Sequence, residues 1–233
     1  MKPKNWVQRA NVAIEGIIYA VKTQRHMRYH LFAALAALIL GLVLNISRNE
    51  LILLCMAIVL VLATEMLNTA IETMVDMISE EFHPKAKHAK DVAAGVVLIA
   101  SIGALTLAYL ILYPALKTAI RTENWQLRKT PDDVIAFVAL AFVIILVIIL
   151  KAFFGKGEPL HGGMPSGHAA VSFSIWIAAL YLTNSVPIIL LTFLLAVMIS
   201  WSRWSSGIHR PIEVIAGALL GGGVTFLFFW MFS

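Results

Sequence analysis

The sequence predicts an all-α integral membrane protein with seven transmembrane helices, three and then four, and an amphipathic surface helix at the N-terminus. Of the 233 residues, 60% are hydrophobic and 13% are charged, whereas soluble domains average about 45–50% apolar and about 25% charged residues. The apolar residues occur in long runs, as membrane-spanning helices require. The net charge of +5 fits basic cytoplasmic loops rather than nucleic-acid binding.

The first 29 residues combine basic side chains with apolar residues that recur at steps of three and four. This pattern is typical of an amphipathic helix that lies on a membrane surface. The first long apolar run starts at Leu31, behind this basic segment, so no cleavable signal peptide is predicted. Cys55 is the single cysteine and lies in an apolar run, which excludes a disulfide framework and a cysteine-based metal site.

Seven apolar runs are long enough to be candidate membrane helices. They are Leu31–Ile46, Leu51–Ile78, Val92–Leu116, Val134–Leu150, Ala169–Leu182, Val186–Trp201 and Ile212–Phe232. Ser79–Lys90 is predicted to be a polar loop that is broken at Pro84. The small residues from Gly217 to Gly223 give the last helix a face that is suited to close helix packing.

Residues 117–133 form the longest polar stretch, and we place a linker here between a domain at 1–116 and a domain at 134–233. With the N-terminus in the cytoplasm, 13 of the 18 Lys and Arg residues lie inside and 5 lie outside. The positive-inside rule favours this orientation. It predicts that candidate sites in both domains open to the cytoplasmic side of the membrane.

The second predicted helix carries polar residues on one face, at steps of three and four. They are Glu65, Asn68, Thr69, Glu72 and Asp76. Ionisable residues within membrane helices are costly and are functional candidates by default. Carboxylates and an amide at this spacing can hold Mg²⁺ and leave one acid free as a base, and Lys90 and Asp91 open the next helix on the same side. The alternative is a polar seam that packs helices together.

The stretch Glu65-Met-Leu-Asn-Thr-Ala-Ile-Glu72, followed by Val75-Asp76 and Ala89-Lys-Asp91, resembles the signature of the small prokaryotic diacylglycerol/undecaprenol kinases. The resemblance covers roughly residues 5–116 and leans slightly towards the undecaprenol branch. It implies a homotrimer with ATP and Mg²⁺ bound between protomers at the cytoplasmic boundary. It also implies that Glu65 is the base for the lipid hydroxyl and Glu72 a magnesium ligand. The residues implied to shape the nucleotide site are Asn68, Asp76, Lys90 and Asp91.

One position departs from the pattern of this family. The family has a second acidic metal ligand before the first membrane helix, and alignment through Met27-Arg28 places Gln24 there. A neutral amide is a poorer Mg²⁺ ligand than a carboxylate. Two interpretations follow, an ATP-dependent lipid kinase whose metal site includes Gln24, or an inactive lipid-binding and trimerising module.

The second predicted domain contains the polar stretch His161-Gly-Gly-Met-Pro-Ser-Gly-His168 between two apolar runs. Pro165 suits the first turn of a helix, because the N–H that proline lacks would be unpaired there. Ser166, Gly167 and His168 are therefore predicted at a helix N-terminus, where free N–H groups favour an anion. The alternative is a loop between membrane helices with an incidental histidine.

Further polar residues flank this stretch, in the patterns Lys151-x6-Glu158-Pro159 and Ser202-Arg203-x5-His209-x3-Glu213. If a helix begins near His209, with Pro211 in its first turn, Glu213 lies one turn on and holds the imidazole. Lys151 and Arg203 can neutralise a phosphoryl group. Two histidines, two cations and a helix N-terminus predict metal-free phosphoryl transfer, in which one histidine attacks phosphorus and the other protonates the leaving alkoxide.

These patterns resemble the three motifs of the type 2 phosphatidic acid phosphatase superfamily over roughly residues 131–233. The resemblance implies that His209 is the nucleophile, Glu213 its orienting acid and His168 the general acid. The residues implied to bind phosphate are Lys151, Ser166, Gly167 and Arg203. Glu158 replaces an arginine of the first motif, where Lys156 is a candidate substitute, and Glu213 replaces an aspartate.

The two resemblances therefore imply a fused lipid kinase and lipid phosphatase of a bacterial cytoplasmic membrane. The expected substrates are a polyprenol or a diacylglycerol and its phosphate, such as undecaprenyl phosphate or phosphatidic acid. The kinase requires ATP and Mg²⁺, and the phosphatase requires no cofactor. A transporter is a weaker alternative, because broken helices in two matching halves are lacking.

Overall fold

The structure is a computed structural model that describes residues 6–78, 83–121, 130–154 and 163–233. These residues form eight helices and no strand. The helices are α1 (Trp6–Thr23), α2 (Arg25–Val43), α3 (Arg48–Ile78), α4 (Pro84–Arg121), α5 (Asp132–Phe154), α6 (Gly167–Leu182), α7 (Val186–Ser205) and α8 (Pro211–Phe232). Among the described residues, α2, α3, α4, α5, α7 and α8 are long and apolar enough to cross a membrane, and α6 is apolar with 16 residues. The predicted all-α membrane fold is confirmed.

The chain divides into two compact units. We call Thr23–Gln126 the N-terminal unit, and we call Leu127–Ser233, which groups with Met1–Lys22, the C-terminal unit. The N-terminal unit contains α2, α3 and α4, and the C-terminal unit contains α5 to α8.

In the N-terminal unit, α3 packs against both α2 and α4. The buried residues of α3 follow helical spacing, so they form one covered face. This face is apolar from Leu51 to Val61 and becomes polar from Thr64 onward. The hydroxyl of Thr64 donates to the Val61 carbonyl and that of Thr69 donates to the Glu65 carbonyl, both at 2.9 Å. Helix α3 therefore presents its acidic residues at one end of the packed face.

Helix α4 is longer at both ends than the sequence predicts. It begins at Pro84, inside the stretch predicted as a loop, because proline is tolerated at the first helical position. It continues to Arg121, inside the predicted linker. Thr118 there donates its hydroxyl to the Pro114 carbonyl at 2.9 Å, and basic residues near a helix C-terminus are favourable. The rest of the linker up to residue 129 lies outside the described residues.

In the C-terminal unit, α6 packs against α5, α7 and α8, and it approaches α8 most closely. A Cβ atom added to Gly217 would lie 2.3 Å from the Ser166 carbonyl oxygen, and one added to Gly221 would lie 1.8 Å from that of Ala170. Only glycine permits this approach between the two backbones. The predicted use of the small-residue face for helix packing is confirmed.

Candidate active sites

The ends of four helices meet at one end of the C-terminal unit. At the opposite end, the N–H of Thr130 before α5 donates to the carbonyl of Phe232 at the end of α8, at 3.1 Å. Because α5 and α8 run antiparallel, the last turn of α5 and the first turn of α8 share an end. The first turn of α6 lies there too, since Ser166 contacts Glu213, and so does the last turn of α7, since the Arg203 carbonyl accepts the N–H of His209.

The segment before α6 is fixed against the first turn of α8. Gly163 has φ of 83°, a left-handed conformation that favours glycine, and the peptide bond before Pro165 is cis. Ser166 occupies the N-cap and α6 begins at Gly167, so Pro165 precedes the helix instead of lying in its first turn as predicted. The N–H of Ser166 donates to the Glu213 carbonyl at 2.9 Å. The predicted placement of Ser166 and Gly167 at a helix N-terminus is confirmed.

The predicted contact between His209 and Glu213 is present, and α8 begins near His209 with Pro211 in its first turn, as predicted. Helix α8 begins at Pro211, so His209 lies before the helix and not on it. Glu213 turns back from the first turn of α8, and its Oε2 lies 2.9 Å from Nδ1 of His209 and accepts the Arg210 N–H at 3.2 Å. The N–H of His209 donates to the Arg203 carbonyl at 3.0 Å. A helix cap, rather than helical spacing, therefore orients the imidazole.

Three polar atoms at this end are buried and have no hydrogen-bond partner among the described residues. They are Nε2 of His209, Oγ of Ser166 and Nε of Arg203. An unpaired buried polar atom costs about 1–3 kcal/mol, and such atoms require a reason. Because a carboxylate can only accept, Nδ1 of His209 carries the proton and Nε2 carries the lone pair. Nε2 therefore has a free lone pair and can act as a nucleophile.

The cations of the site act on both histidines. Burial lowers the pKa of His209, the hydrogen bond that His209 donates to Glu213 raises it in part, and the charges of Lys151 and Arg203 lower it further. The imidazole of His209 is therefore neutral at neutral pH. Arg203, His209 and Lys151 also act electrostatically on His168, so the structure brings all four side chains together. Lys156, Glu158 and His161 lie outside the described residues.

In the N-terminal unit, two amide side chains donate hydrogen bonds to one carboxylate. Nε2 of Gln24 donates to Oε2 of Glu72 at 3.1 Å, and Nδ2 of Asn68 donates to Oε1 at 3.0 Å. Gln24 is the N-cap of α2 but makes no capping hydrogen bond with its side chain, so its amide reaches Glu72. Glu65 is buried and lies about two helical turns before Glu72.

The remaining predicted residues of this unit lie at the α3–α4 contact. Asp76 of α3 forms an ion pair with Lys90 of α4, and both side chains are partly exposed. Asp91 is exposed beside Lys90. A metal ion would find few acidic ligands here, because the described residues contain no group of three or more His, Cys, Asp or Glu side chains at ligand spacing.

The oxygen atoms near Glu72 fit a Mg²⁺ ion that is also held by nucleotide phosphates. Mg²⁺ in such sites takes one or two protein carboxylates. Glu72 supplies one carboxylate, and Oδ1 of Asn68 is a buried oxygen with no hydrogen-bond partner among the described residues. Gln24 supplies an amide where a second carboxylate would be expected.

Comparison with known proteins assigns the two units. Residues 11–112 match the family described as prokaryotic diacylglycerol kinase. Undecaprenol kinase from Bacillus subtilis is 39% identical over 101 residues, which are 43% of this chain and 82% of that protein. The chain belongs to the prokaryotic diacylglycerol kinase family. Within this kinase-family chain, residues 150–233 match the PAP2 superfamily, which confirms the predicted fusion.

The match covers a smaller share of two further relatives, so this chain spans less than two thirds of their length. A diacylglycerol kinase from Synechocystis sp. is 38% identical over 102 residues, which are 43% of this chain and 58% of that protein. An undecaprenyl-diphosphatase from Sulfolobus acidocaldarius is 40% identical over 70 residues, which are 30% of this chain and 34% of that protein. No solved structure matches the chain. The apolar helices and the bacterial kinase relatives identify this chain as a multi-pass bacterial membrane protein.

Sequence reasoning missed two histidines in the kinase-family unit. His30 and His26 of α2 act electrostatically on the buried carboxyl of Glu65, with His30 the stronger. The two histidines are four residues apart and follow Gln24 closely, so helical spacing alone places them on one face. The four-residue spacing of the two histidines is visible in the sequence, although the sequence does not identify Glu65 as their neighbour.

Proposed function

We propose that this chain is a bifunctional membrane enzyme, a lipid phosphatase in its C-terminal unit and an ATP-dependent lipid kinase in its N-terminal unit. The substrates are a polyprenol or a diacylglycerol and its phosphate. The observation that carries the phosphatase is the His209–Glu213 contact, because it leaves a neutral Nε2 unpaired beside Lys151 and Arg203. The family matches of both units support the assignment.

In the phosphatase, the charges of Lys151 and Arg203 and the donors of Ser166 and Gly167 bind the phosphate of the lipid. Nε2 of His209 attacks phosphorus, and the bond between phosphorus and the lipid oxygen breaks. His168 gives its proton to the leaving alkoxide. Glu213 stabilises the imidazolium that forms on His209.

Water then completes the reaction. His168, which has lost its proton, accepts one from a water molecule, and the hydroxide attacks the phosphorus of phosphohistidine. The bond between Nε2 and phosphorus breaks, so inorganic phosphate leaves and His209 returns to its neutral form. These steps use protein groups and water alone.

The covalent intermediate provides the direct test. Wild-type protein is mixed with phosphatidic acid or undecaprenyl phosphate that carries ³²P in the phosphate, quenched in alkali and digested. We expect alkali-stable, acid-labile label on the peptide that contains His209 and none in His209→Ala. Label on another residue, or turnover in His209→Ala at the wild-type rate, would show that the nucleophile is assigned wrongly.

In the kinase, Glu65 accepts the proton of the lipid hydroxyl as its oxygen bonds to the transferred phosphoryl group and the bond to ADP breaks. Glu72 and Asn68 would hold a Mg²⁺ ion, which would neutralise the charge of the nucleotide phosphates when bound. Asp76, Lys90 and Asp91 shape the nucleotide site, and three copies of the chain associate through the N-terminal unit. Crosslinking in membranes tests the trimer.

A second function of the N-terminal unit, a lipid-binding and trimerising module, is favoured by one observation. Both oxygens of Glu72 accept amide N–H groups, and the amide of Gln24 stands where the family pattern has an acid. Phosphorylation of undecaprenol and diacylglycerol by the whole chain with Mg²⁺-ATP separates the two functions. Label in the lipid that disappears in Glu65→Gln supports the kinase, and lipid binding without label supports the module.

We further propose that both sites open to the cytoplasm. Three membrane-spanning helices, α2 to α4, precede the linker, and the positive-inside rule places the N-terminus inside. Single cysteines are introduced at positions 124 and 162 in a Cys55→Ala background. An impermeant thiol reagent added to intact cells is expected to label position 124 and not position 162. The opposite labelling would place the phosphatase site at the external face.

A further inference from the structure

The hydroxyl of Ser200 in α7 is a buried polar group that the proposed mechanism does not use. Ser200 is 9% exposed, and its Oγ has no hydrogen-bond partner among the described residues. Serine and threonine in a helix usually bond a carbonyl of the preceding turn. Thr192 of the same helix does so with the carbonyls of Ile188 and Ile189, and Ser172 of α6 does so with that of Ala169. Ser200 is therefore an exception that needs an explanation.

Ser200 shares a helix face with Arg203. The described buried residues of α7 are Ala196 and Ser200, and Arg203 continues their spacing of three and four. The neighbour of α7 on this side is mainly α6, whose first turn carries His168. Because a helix rises about 1.5 Å per residue, Ser200 lies about 4.5 Å from Arg203 along the axis, away from the helix end and towards the apolar middle of α7.

We propose that Ser200 donates a hydrogen bond to an oxygen of the lipid just beyond its phosphate, and that this contact makes the phosphatase site select glycerolipid phosphates over polyprenyl phosphates. This inference rests on the proposed phosphatase function. Oγ of Ser200 is shielded from solvent in the same way as Oγ of Ser166 and Nε2 of His209. Ser200 lies about one turn from Arg203 on the same face of α7, so a lipid whose phosphate contacts Arg203 brings the atoms next to its phosphate towards Ser200.

The chemistry of the two lipid classes decides which of them satisfies this hydroxyl. Beyond its phosphate ester, a polyprenyl chain offers only carbon and hydrogen. A glycerolipid offers ester oxygens at that point. An unpaired buried hydroxyl is costly, and the apolar surroundings strengthen any hydrogen bond that it makes. Ser200 is thus paired with a glycerolipid phosphate and unpaired with a polyprenyl phosphate.

The test compares dioctanoyl phosphatidic acid with farnesyl phosphate in detergent micelles. Ser200→Ala is expected to lower kcat/KM for phosphatidic acid roughly five- to tenfold, as the loss of one hydrogen bond predicts, and to leave farnesyl phosphate unchanged. The matched control is Ser172→Ala, which removes an equally buried hydroxyl that is already bonded to backbone. We expect this control to retain the wild-type ratio of the two substrates.

An equal loss on both lipids, or no loss on phosphatidic acid, would overturn the proposed contact. A binding measurement separates this failure from failure of the phosphatase assignment. Native mass spectrometry of His209→Ala is expected to show a preference for phosphatidic acid that the double variant with Ser200→Ala lacks. Loss of that preference supports the contact even if neither lipid is turned over, and equal binding of the two lipids to both proteins refutes it.

Discussion

Glu213 in the C-terminal unit and Glu72 in the N-terminal unit each accept two hydrogen bonds, yet they do different things to their neighbours. Glu213 accepts from the imidazole of His209, whose second nitrogen stays unpaired. Glu72 accepts from the amides of Gln24 and Asn68, which have no reactive nitrogen. The imidazole beside Glu213 keeps a ring nitrogen that can act as a nucleophile, whereas the amides beside Glu72 offer no such atom. The comparison teaches that the partner, and not the acid, determines the chemistry.

The largest effect is expected when the imidazole beside Glu213 is removed. His209→Ala is expected to abolish hydrolysis of lipid phosphates, because it removes the imidazole that Glu213 orients and whose Nε2 is unpaired among the described residues. The variant remains inserted in the membrane with an unchanged α6–α8 contact. Phosphate release and the elution profile in detergent measure the two properties. Near-normal hydrolysis by a correctly folded variant would contradict the role of His209.

Chelation separates the two carboxylates in one sample. With excess EDTA, transfer of phosphate from ATP to lipid is expected to cease, because Glu72 acts with Mg²⁺ on the nucleotide. Phosphate release by the C-terminal unit is expected to remain unchanged, because its steps use protein groups and water. Both activities are measured on the same preparation, and Mg²⁺ is added back as the control. Loss of phosphate release in EDTA would contradict the proposed mechanism of His209.

The close approach of α8 to Ser166, which is proposed to bind phosphate, is tested by Gly217→Ala. The added Cβ would lie 2.3 Å from the Ser166 carbonyl oxygen, which is backbone, so α6 or α8 must shift. Overpacking of this kind typically costs about 1–3 kcal/mol. We expect a lower temperature of thermal unfolding in detergent and a higher KM. Gly223→Ala is the matched control, since nothing lies within 4 Å of its added Cβ. Equal effects of the two variants would show that the close approach does not matter.

The smallest expected effect concerns the acid that is held by amides. Gln24→Glu replaces the Nε2 donor with a second carboxylate beside Glu72, which repels it without a cation and binds Mg²⁺ better with one. Kinase activity is therefore expected to rise a few-fold or to require less Mg²⁺. The measurement is a Mg²⁺ titration of ATP-dependent lipid phosphorylation. An unchanged titration in an active kinase would show that the metal site is completed by other residues.

The fold could be predicted from apolar runs, because a membrane helix needs a long one and little else. The bounds of α4 could not, because the polar residues around Lys117 are compatible with both a helix and a linker. At the phosphatase site, spacing predicted the pairing of His209 with Glu213, although not the cap that achieves it. The contact of Ser166 with α8 and the unpaired hydroxyl of Ser200 depend on how helices pack, which no local pattern encodes.

Glu213 serves the site through two different parts of the residue. Its side chain holds His209, whereas its main-chain carbonyl accepts the N–H of Ser166. The main-chain contact does not depend on the side chain at position 213, so a substitution there leaves Ser166 anchored to α8. The exchange of aspartate for glutamate at this position is therefore a change to one half of the site only. The two contacts of Glu213 therefore tolerate substitution to different degrees. A substitution at this position changes the orientation of His209, whereas the position of Ser166 depends on the backbone alone.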